Sequence, residues 1–143
     1  MTESSTQTRT VIVEREIPFP PEKIWRALTQ PHLLEEWLMK NDFAPVIGHR
    51  FNLRGDWGGV LDCEVLAVEP HKTLSYTWNF AHDDAAYDLR SVVTFTLTPT
   101  NTGTHLRMEQ AGFRPEQKQA YHGARGGWEQ FLGKLEELLA RSA

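Results

Sequence analysis

The spacing of apolar positions changes period twice along this chain, and the changes mark out its elements. In RTVIVEREI at 9–17, Val11, Val13 and Arg15 alternate with Ile12 and Glu14, and β-branched residues dominate, which predicts a strand. Pro18 and the Pro20-Pro21 pair end it. Pro21 and Glu22 then suit a first helical turn, and Ile24, Trp25 and Leu28 fall on one stripe of a helix of about nine residues. After Thr29-Gln30-Pro31, HLLEEWLMK sets Leu33, Leu34, Trp37 and Leu38 on one face of a second short helix.

From Gly48 onward the period becomes two. Phe51 and Leu53 alternate with Arg50, Asn52 and Arg54; GDWGG at 55–59 reads as a turn; VLDCEVLAV at 60–68 reads as a strand of ambiguous parity. Its odd positions Leu61, Cys63, Val65 and Ala67 are apolar, while Leu66 and Val68 compete on the other face. Pro70 breaks it, and LSYTWNF then places Leu74, Tyr76, Trp78 and Phe80 on one side and Ser75, Thr77 and Asn79 on the other. AHDDAAYD at 81–88 forms an acidic loop, SVVTFTLTP aligns Val93, Phe95 and Leu97 before Pro99 ends the strand, TNTG turns, and THLRMEQ alternates Leu106 and Met108 with polar residues. Strands at hairpin spacing give an antiparallel sheet with one wet face.

The last 20 residues return to the helical period, with Trp128, Phe131, Leu132, Leu135, Leu138 and Leu139 on one face. That helix opens on Gly123, Gly126 and Gly127, each costing about 1 kcal/mol against alanine. Two compatible readings account for them: small residues hold a portal open beside a cavity, or they break a short helix at 115–122 from the long one. The order of one strand, two short helices, five strands and a terminal helix makes an α+β domain in which one helix covers a curved sheet and leaves a cavity.

At 143 residues the chain fits one domain over 9–143 behind a disordered tail at 1–8, and a domain of this size buries about 68–70% of its unfolded surface. The single Cys63 leaves no internal disulfide, MTESSTQTRT offers no signal-peptide core, and no apolar run reaches membrane-spanning length, so a cytoplasmic protein is expected. A net charge of −4 with dispersed Lys and Arg argues against nucleic-acid and anionic-membrane partners.

Five blocks in order, PPEKIWRALTQPHLLEEWL, G-x-R-F-x-L-R-G at 48–55, EVLAVEPHKTLSYTW, VTFTLTPTNTGTHLRMEQAGF and GWEQFLGKLEELL, resemble the single-domain homologues of the activator of heat-shock-protein-90 ATPase, within the START-like, birch-pollen-allergen-like superfamily. The resemblance covers about residues 10–141. It implies the helix-grip fold, a six- or seven-stranded antiparallel sheet gripping the C-terminal helix around a hydrophobic cavity, and a chaperone as an alternative partner.

Catalytic patterns are missing from the sequence. His32, His49, His71, His82, His105 and His122 never fall at metal-binding spacing, and Cys63 has no C-x-x-C partner, so no metal, cofactor or catalytic residue is assigned. Arg54, Asp62, Glu64, Arg90, Arg107 and Glu109 are expected on the solvated outer face, with Arg54 and Asp56 beside the hairpin turn the ones to watch. The aromatic residues carry the sharper expectation. Tyr76, Trp78, Phe80, Phe95 and Met108 on the sheet, facing Trp128, Phe131 and Leu132 on the helix, together with Trp37, Phe51 and Cys63, are the expected lining of an apolar pocket. Its polar tips would be the indole N–H groups, the Tyr76 hydroxyl and Cys63, and the 81–88 loop either gates it or is an ordinary solvated connection.

The function expected is therefore non-enzymatic binding of a small hydrophobic or amphipathic molecule by a monomer or homodimer. The alternatives are a chaperone-associated interaction module with an exposed apolar patch on the outer sheet face, and a cavity enzyme doing acid/base chemistry on a cyclic substrate.

Overall fold

In the computed structural model, residues 8–141 are described apart from position 57, so the expected tail at 1–8 lies, but for Thr8, outside the described residues. The elements run β1 (Arg9–Ile17), α1 (Pro21–Thr29), α2 (Pro31–Trp37), β2 (Lys40–Asn41), β3 (Arg50–Arg54), β4 (Val60–Glu69), β5 (Thr73–Phe80), β6 (Leu89–Thr100), β7 (Gly103–Phe113) and α3 (Lys118–Arg141). The strands form one antiparallel sheet in the order β1-β7-β6-β5-β4-β3-β2. This is the helix-grip fold. The seventh strand, β2, is two residues long and pairs Lys40 with Arg54 and Asn41 with Leu53; two residues carry no periodicity, so no pattern announced it.

The ambiguous parity of β4 has a physical cause. Asp62 pairs with Asn79 and Val65 with Tyr76, but beyond a register shift between Val65 and Ala67 the pairs become Ala67 with Ser75 and Val68 with Leu74. The bulge turns the strand over, so Leu61, Cys63 and Val65 face the core before it and Val68 faces the core after it. Of the competing sets, Leu61, Cys63 and Val65 hold the core before the bulge and Val68 after it, while Leu66 at the bulge is 43% exposed and Ala67 pairs with Ser75.

Pro99 does not end β6 as expected, because the strand runs one residue further and closes on a Thr100–Gly103 rung across Asn101-Thr102. Gly103 is required there: at φ +157° a Cβ would stand 2.1 Å from the Ile17 carbonyl oxygen. Thr104 next to it donates to the Phe19 carbonyl at 2.7 Å, tying the start of β7 to the entry of α1.

Helix α3 is continuous, so the expected break at 115–122 does not occur. Gly123, Gly126 and Gly127 keep right-handed helical backbone, and their summed propensity cost is outweighed by burial of Trp128, Leu132, Leu135, Leu138 and Leu139. The helix starts where Gln117 stands: its Oε1 accepts from the Arg114 N–H at 2.9 Å and its carbonyl accepts from Tyr121 N–H at 3.0 Å. Below it, α2 is fixed to α1 by the Trp37 indole, which donates to the Ala27 carbonyl at 2.8 Å.

The outer face of the sheet is mainly polar, with Ile12 and Val60 exposed among its polar residues. Ser75 and Thr94 hydroxyls meet at 3.1 Å, Arg107 reaches Glu109 at 3.2 Å, and both ring nitrogens of His105 face carboxylates, Glu16 at Nδ1 and Glu14 at Nε2. The hydrogen bond to Glu16, then that to Glu14, raises the His105 pKa. Asp62, Glu64, Arg107 and Glu109 lie on this face as expected, while Arg54, Asp56 and Arg90 are exposed near its margins.

Candidate functional site

Trp128 organises the space between sheet and helix. Its ring centroid lies 5.1 Å from Trp78 on β5, 5.8 Å from Phe95 on β6 and 5.5 Å from Phe131 on its own helix, at tilted or edge-on angles that aromatic pairs prefer. Its indole N–H is not free. It donates to Gln110 Oε1 at 2.8 Å, Gln110 Nε2 donates to the Ser91 hydroxyl at 3.0 Å, and Ser91 donates to the Trp78 carbonyl at 2.6 Å. Gln110 and Ser91 are 1% and 5% exposed, and this relay satisfies both inside the core.

Above this relay lies a cleft of about 240 Å³. Trp78, Leu89, Gln110 and Phe113 form its sheet side, Ala120, Gly123, Ala124, Gly127, Trp128 and Phe131 its helix side, and Met39 closes one end. A Cβ placed on Gly123 or Gly127 would meet nothing within 4 Å. These glycines therefore accommodate no neighbour, as is also true of Gly126 and Gly133 outside the cleft; Gly123 and Gly127 are the two that border it.

Of the residues expected to line a pocket, Trp78, Trp128 and Phe131 do line this cleft. Trp37, Phe51, Tyr76, Phe95, Met108, Leu132 and Cys63 are buried in the packed interior, Trp37, Phe51 and Cys63 also bordering other clefts, and Phe80 is half-buried at the end of β5. Edge-to-face contacts fill that interior: Phe51 with Tyr76 at 5.2 Å, Phe43 with Phe51 at 5.1 Å, Trp37 with Phe95 at 6.3 Å. The alternation that placed these rings on the concave side is the same for packed and for lining positions, so it does not separate them. Met39, Leu89, Gln110 and Phe113 join the lining without a sequence signal of their own, and so do the alanines at 120 and 124 on either side of Gly123. The small-residue spacing of 120, 123, 124 and 127 was the one usable clue.

Burial settles the chemistry of the ionisable core groups. The Cys63 thiol is pushed up to about 12, first by burial and then by Asp62 and Asp42, so it stays protonated and is a poor nucleophile at neutral pH. Burial likewise raises the Tyr76 phenol. The cleft lining itself contains no carboxylate, imidazole, thiol or amine, which leaves acid/base catalysis there without an acid or base. Among the described residues no group of three or more His, Cys, Asp or Glu is placed to hold a metal, and no helix is long and apolar enough to cross a membrane.

The 81–88 loop beside the cleft is cross-braced. Asp84 Oδ1 accepts from Ala86 N–H and Asp88 Oδ1 from His82 N–H, while the buried Gln117 amide donates to the Ala85 and Asp88 carbonyls at 3.2 and 2.7 Å. Arg114 adds a bond to the Ala85 carbonyl at 2.6 Å. A gate hinged here would have to break these bonds, so the solvated-connection reading fits better. A larger groove, about 520 Å³, is formed by Pro21 and Glu22 at the start of α1, the 70–72 turn with Thr73, and Thr96–Pro99 of β6, and it shares no residue with the aromatic relay.

A family model described as Activator of Hsp90 ATPase homolog 1-like protein matches residues 18–140. Among solved structures, protein MLL2253 of Mesorhizobium loti is 76% identical with a TM-score of 0.93, the match covering 94% of this chain and 99% of that one. Protein BH1534 of Bacillus halodurans is 26% identical with a TM-score of 0.78 over 94% and 99%. CalU16 of Micromonospora echinospora, 23% identical with a TM-score of 0.77 over 94% and 78%, shares the fold. Among curated proteins, none matches this sequence.

Proposed function

The chain belongs to the Activator of Hsp90 ATPase homolog 1-like family, and from that premise we propose that it binds a small hydrophobic or amphipathic molecule, in the cytoplasm, in the cleft between β5–β7 and the first half of α3. One observation carries the reading: Gly123 and Gly127 face open space in a mouth otherwise walled by Met39, Trp78, Phe113, Trp128 and Phe131. A helix gains about 1 kcal/mol from each Gly→Ala change where a Cβ fits, so glycines that block nothing make sense if the space itself has a use.

The cleft is below the roughly 300–1,000 Å³ of drug-sized pockets, which suits a ligand of one or two rings or a short chain. Burial of about 300 Å² of apolar ligand surface gains roughly 7 kcal/mol, against an association cost of about 4 kcal/mol or more. Apolar contact alone therefore binds weakly. The Trp78 indole N–H, which has no hydrogen-bond acceptor among the described residues, is a directional group left for a ligand acceptor. The test is a thermal-shift screen of lipids and aromatic compounds: saturable stabilisation by an apolar class is expected, and a flat response across the whole panel overturns the reading.

The chaperone-associated alternative rests on a different feature. The outer sheet face carries exposed Ile12 and Val60 scattered among its polar residues, and the loop before β3 presents Val46 and Ile47 side by side at 60% and 65% exposure. Loss of chaperone capture from lysate in a Val46→Ser/Ile47→Ser variant would favour that reading; capture of no chaperone by the unmodified chain would remove it.

A further inference from the structure

A second cleft, about 260 Å³, adjoins the first. It is lined by Glu35, Glu36, Lys40, Arg54, Asp56 and Lys134, with Trp37, Leu38 and Met39 behind them. Met39 belongs to both clefts. On α3, positions 123, 127, 131 and 134 fall on one stripe, so the face that begins at the open glycines passes Phe131 in the apolar cleft and reaches Lys134 in the polar one a single turn later.

The charges in the second cleft are arranged in an unusual way. Lys40 and Arg54 stand directly opposite each other across the β2–β3 rung, a like-charge pairing that weakens a sheet. Neither of them, nor Lys134, makes an ion pair or side-chain hydrogen bond among the described residues. The acids do not answer them: Glu36 is taken by Arg141 at 3.0 Å, and Glu35 and Asp56 lie beyond ion-pair distance of all three cations. Three solvated cations without a protein partner stand on one rim beside the equally unpaired Glu35 and Asp56, one flexible thioether away from an apolar cleft, and an anionic head group on an apolar body could exchange their water for its own oxygens.

We propose that the natural ligand is an amphipathic anion, a carboxylate or similar acid on a ring or short chain, held with its apolar part in the Trp78–Phe131 cleft and its charge across Met39 at Lys40, Arg54 and Lys134. This rests on the cleft being a ligand site. It adds the head group and the specificity: acids are selected over neutral molecules of the same shape.

The experiment is calorimetric titration of 4-phenylbutyrate and of 4-phenyl-1-butanol, which differ in the charged end. The intact chain is expected to prefer the acid by about tenfold, the sum of three partly screened charge contacts. In Lys40→Gln/Arg54→Gln/Lys134→Gln that preference is lost while alcohol binding is unchanged. Glu35→Gln/Asp56→Asn moves the acid the other way, tightening it by about two- to threefold, and added salt weakens the acid alone. All five positions are exposed, so the variants fold, which an unchanged melting temperature checks. Equal binding of acid and alcohol, unaffected by the cation variant, overturns the anion assignment and leaves the cleft standing. Binding of neither compound overturns both.

Discussion

From Leu132 to Leu139, helix α3 buries four leucines to between 0% and 4% exposure, whereas from Ala120 to Gly127 the same helix carries two alanines and three glycines beside a cleft. One continuous helix thus does two jobs. Its C-terminal half packs against β1, α1 and α2 and closes the core. Its N-terminal half is thinned, and Trp128 marks the boundary, with its ring in the packed side and its N–H on the Gln110–Ser91 relay. The difference teaches that the cleft beside this helix lies where its side chains are small, opposite the aromatic residues of the sheet.

The difference can be broken at its packed end first. Leu132→Ala removes a fully buried side chain from the closed half, and a loss of about 3–5 kcal/mol is expected in denaturant unfolding; a loss under about 1 kcal/mol would mean that this half is loosely packed as well. At the boundary, Trp128→Phe keeps an aromatic ring but strands the buried Gln110 oxygen, for an expected cost of about 1–3 kcal/mol. Combining it with Gln110→Leu should cost less than the sum of the two single changes, because the relay is lost as a unit.

A subtler probe uses pH. The folded Cys63 thiol holds its proton up to about 12, above its value of 9.0 when exposed. Its contribution is fully present below about pH 9 and falls away as the pH rises toward 12, since the unfolded chain then binds fewer protons than the folded one. Cys63→Ala should flatten that part of an alkaline stability profile. An unchanged slope would show that the thiol is not the group responsible.

Much of this was legible in the sequence. The strand alternation from 51 to 110, the helical stripe from 128 to 139 and the family resemblance are properties of many residues at once, and each survives local noise. The parity of β4 was not legible, because a bulge between Val65 and Ala67 exchanges the faces partway along, so that Val65 and Val68 both face the core while Leu66 between them is exposed. Nor was the division between packed and lining aromatics. Tyr76 and Trp78 share a face and a strand, and what separates them is the neighbour across the gap: Phe43 and Phe51 crowd Tyr76, whereas Trp78 looks toward Gly123 and Gly127. The polar cleft escaped notice because Lys40, Arg54 and Lys134 are 14 and 80 residues apart in sequence and meet only through a two-residue strand.

The most direct test of the central claim compares three glycines in one helix. Gly123 and Gly127 line the cleft, Gly126 is exposed and does not, and a Cβ on any of them meets nothing within 4 Å. Melting and ligand titration of Gly123→Ala/Gly127→Ala beside Gly126→Ala read both effects at once. The account predicts that every alanine stabilises the helix by about 0.5–1 kcal/mol, while only the cleft pair weakens binding, by about tenfold, as methyl groups enter the ligand's space. Equal binding by the pair and by Gly126→Ala, with all of them stabilised, would contradict it.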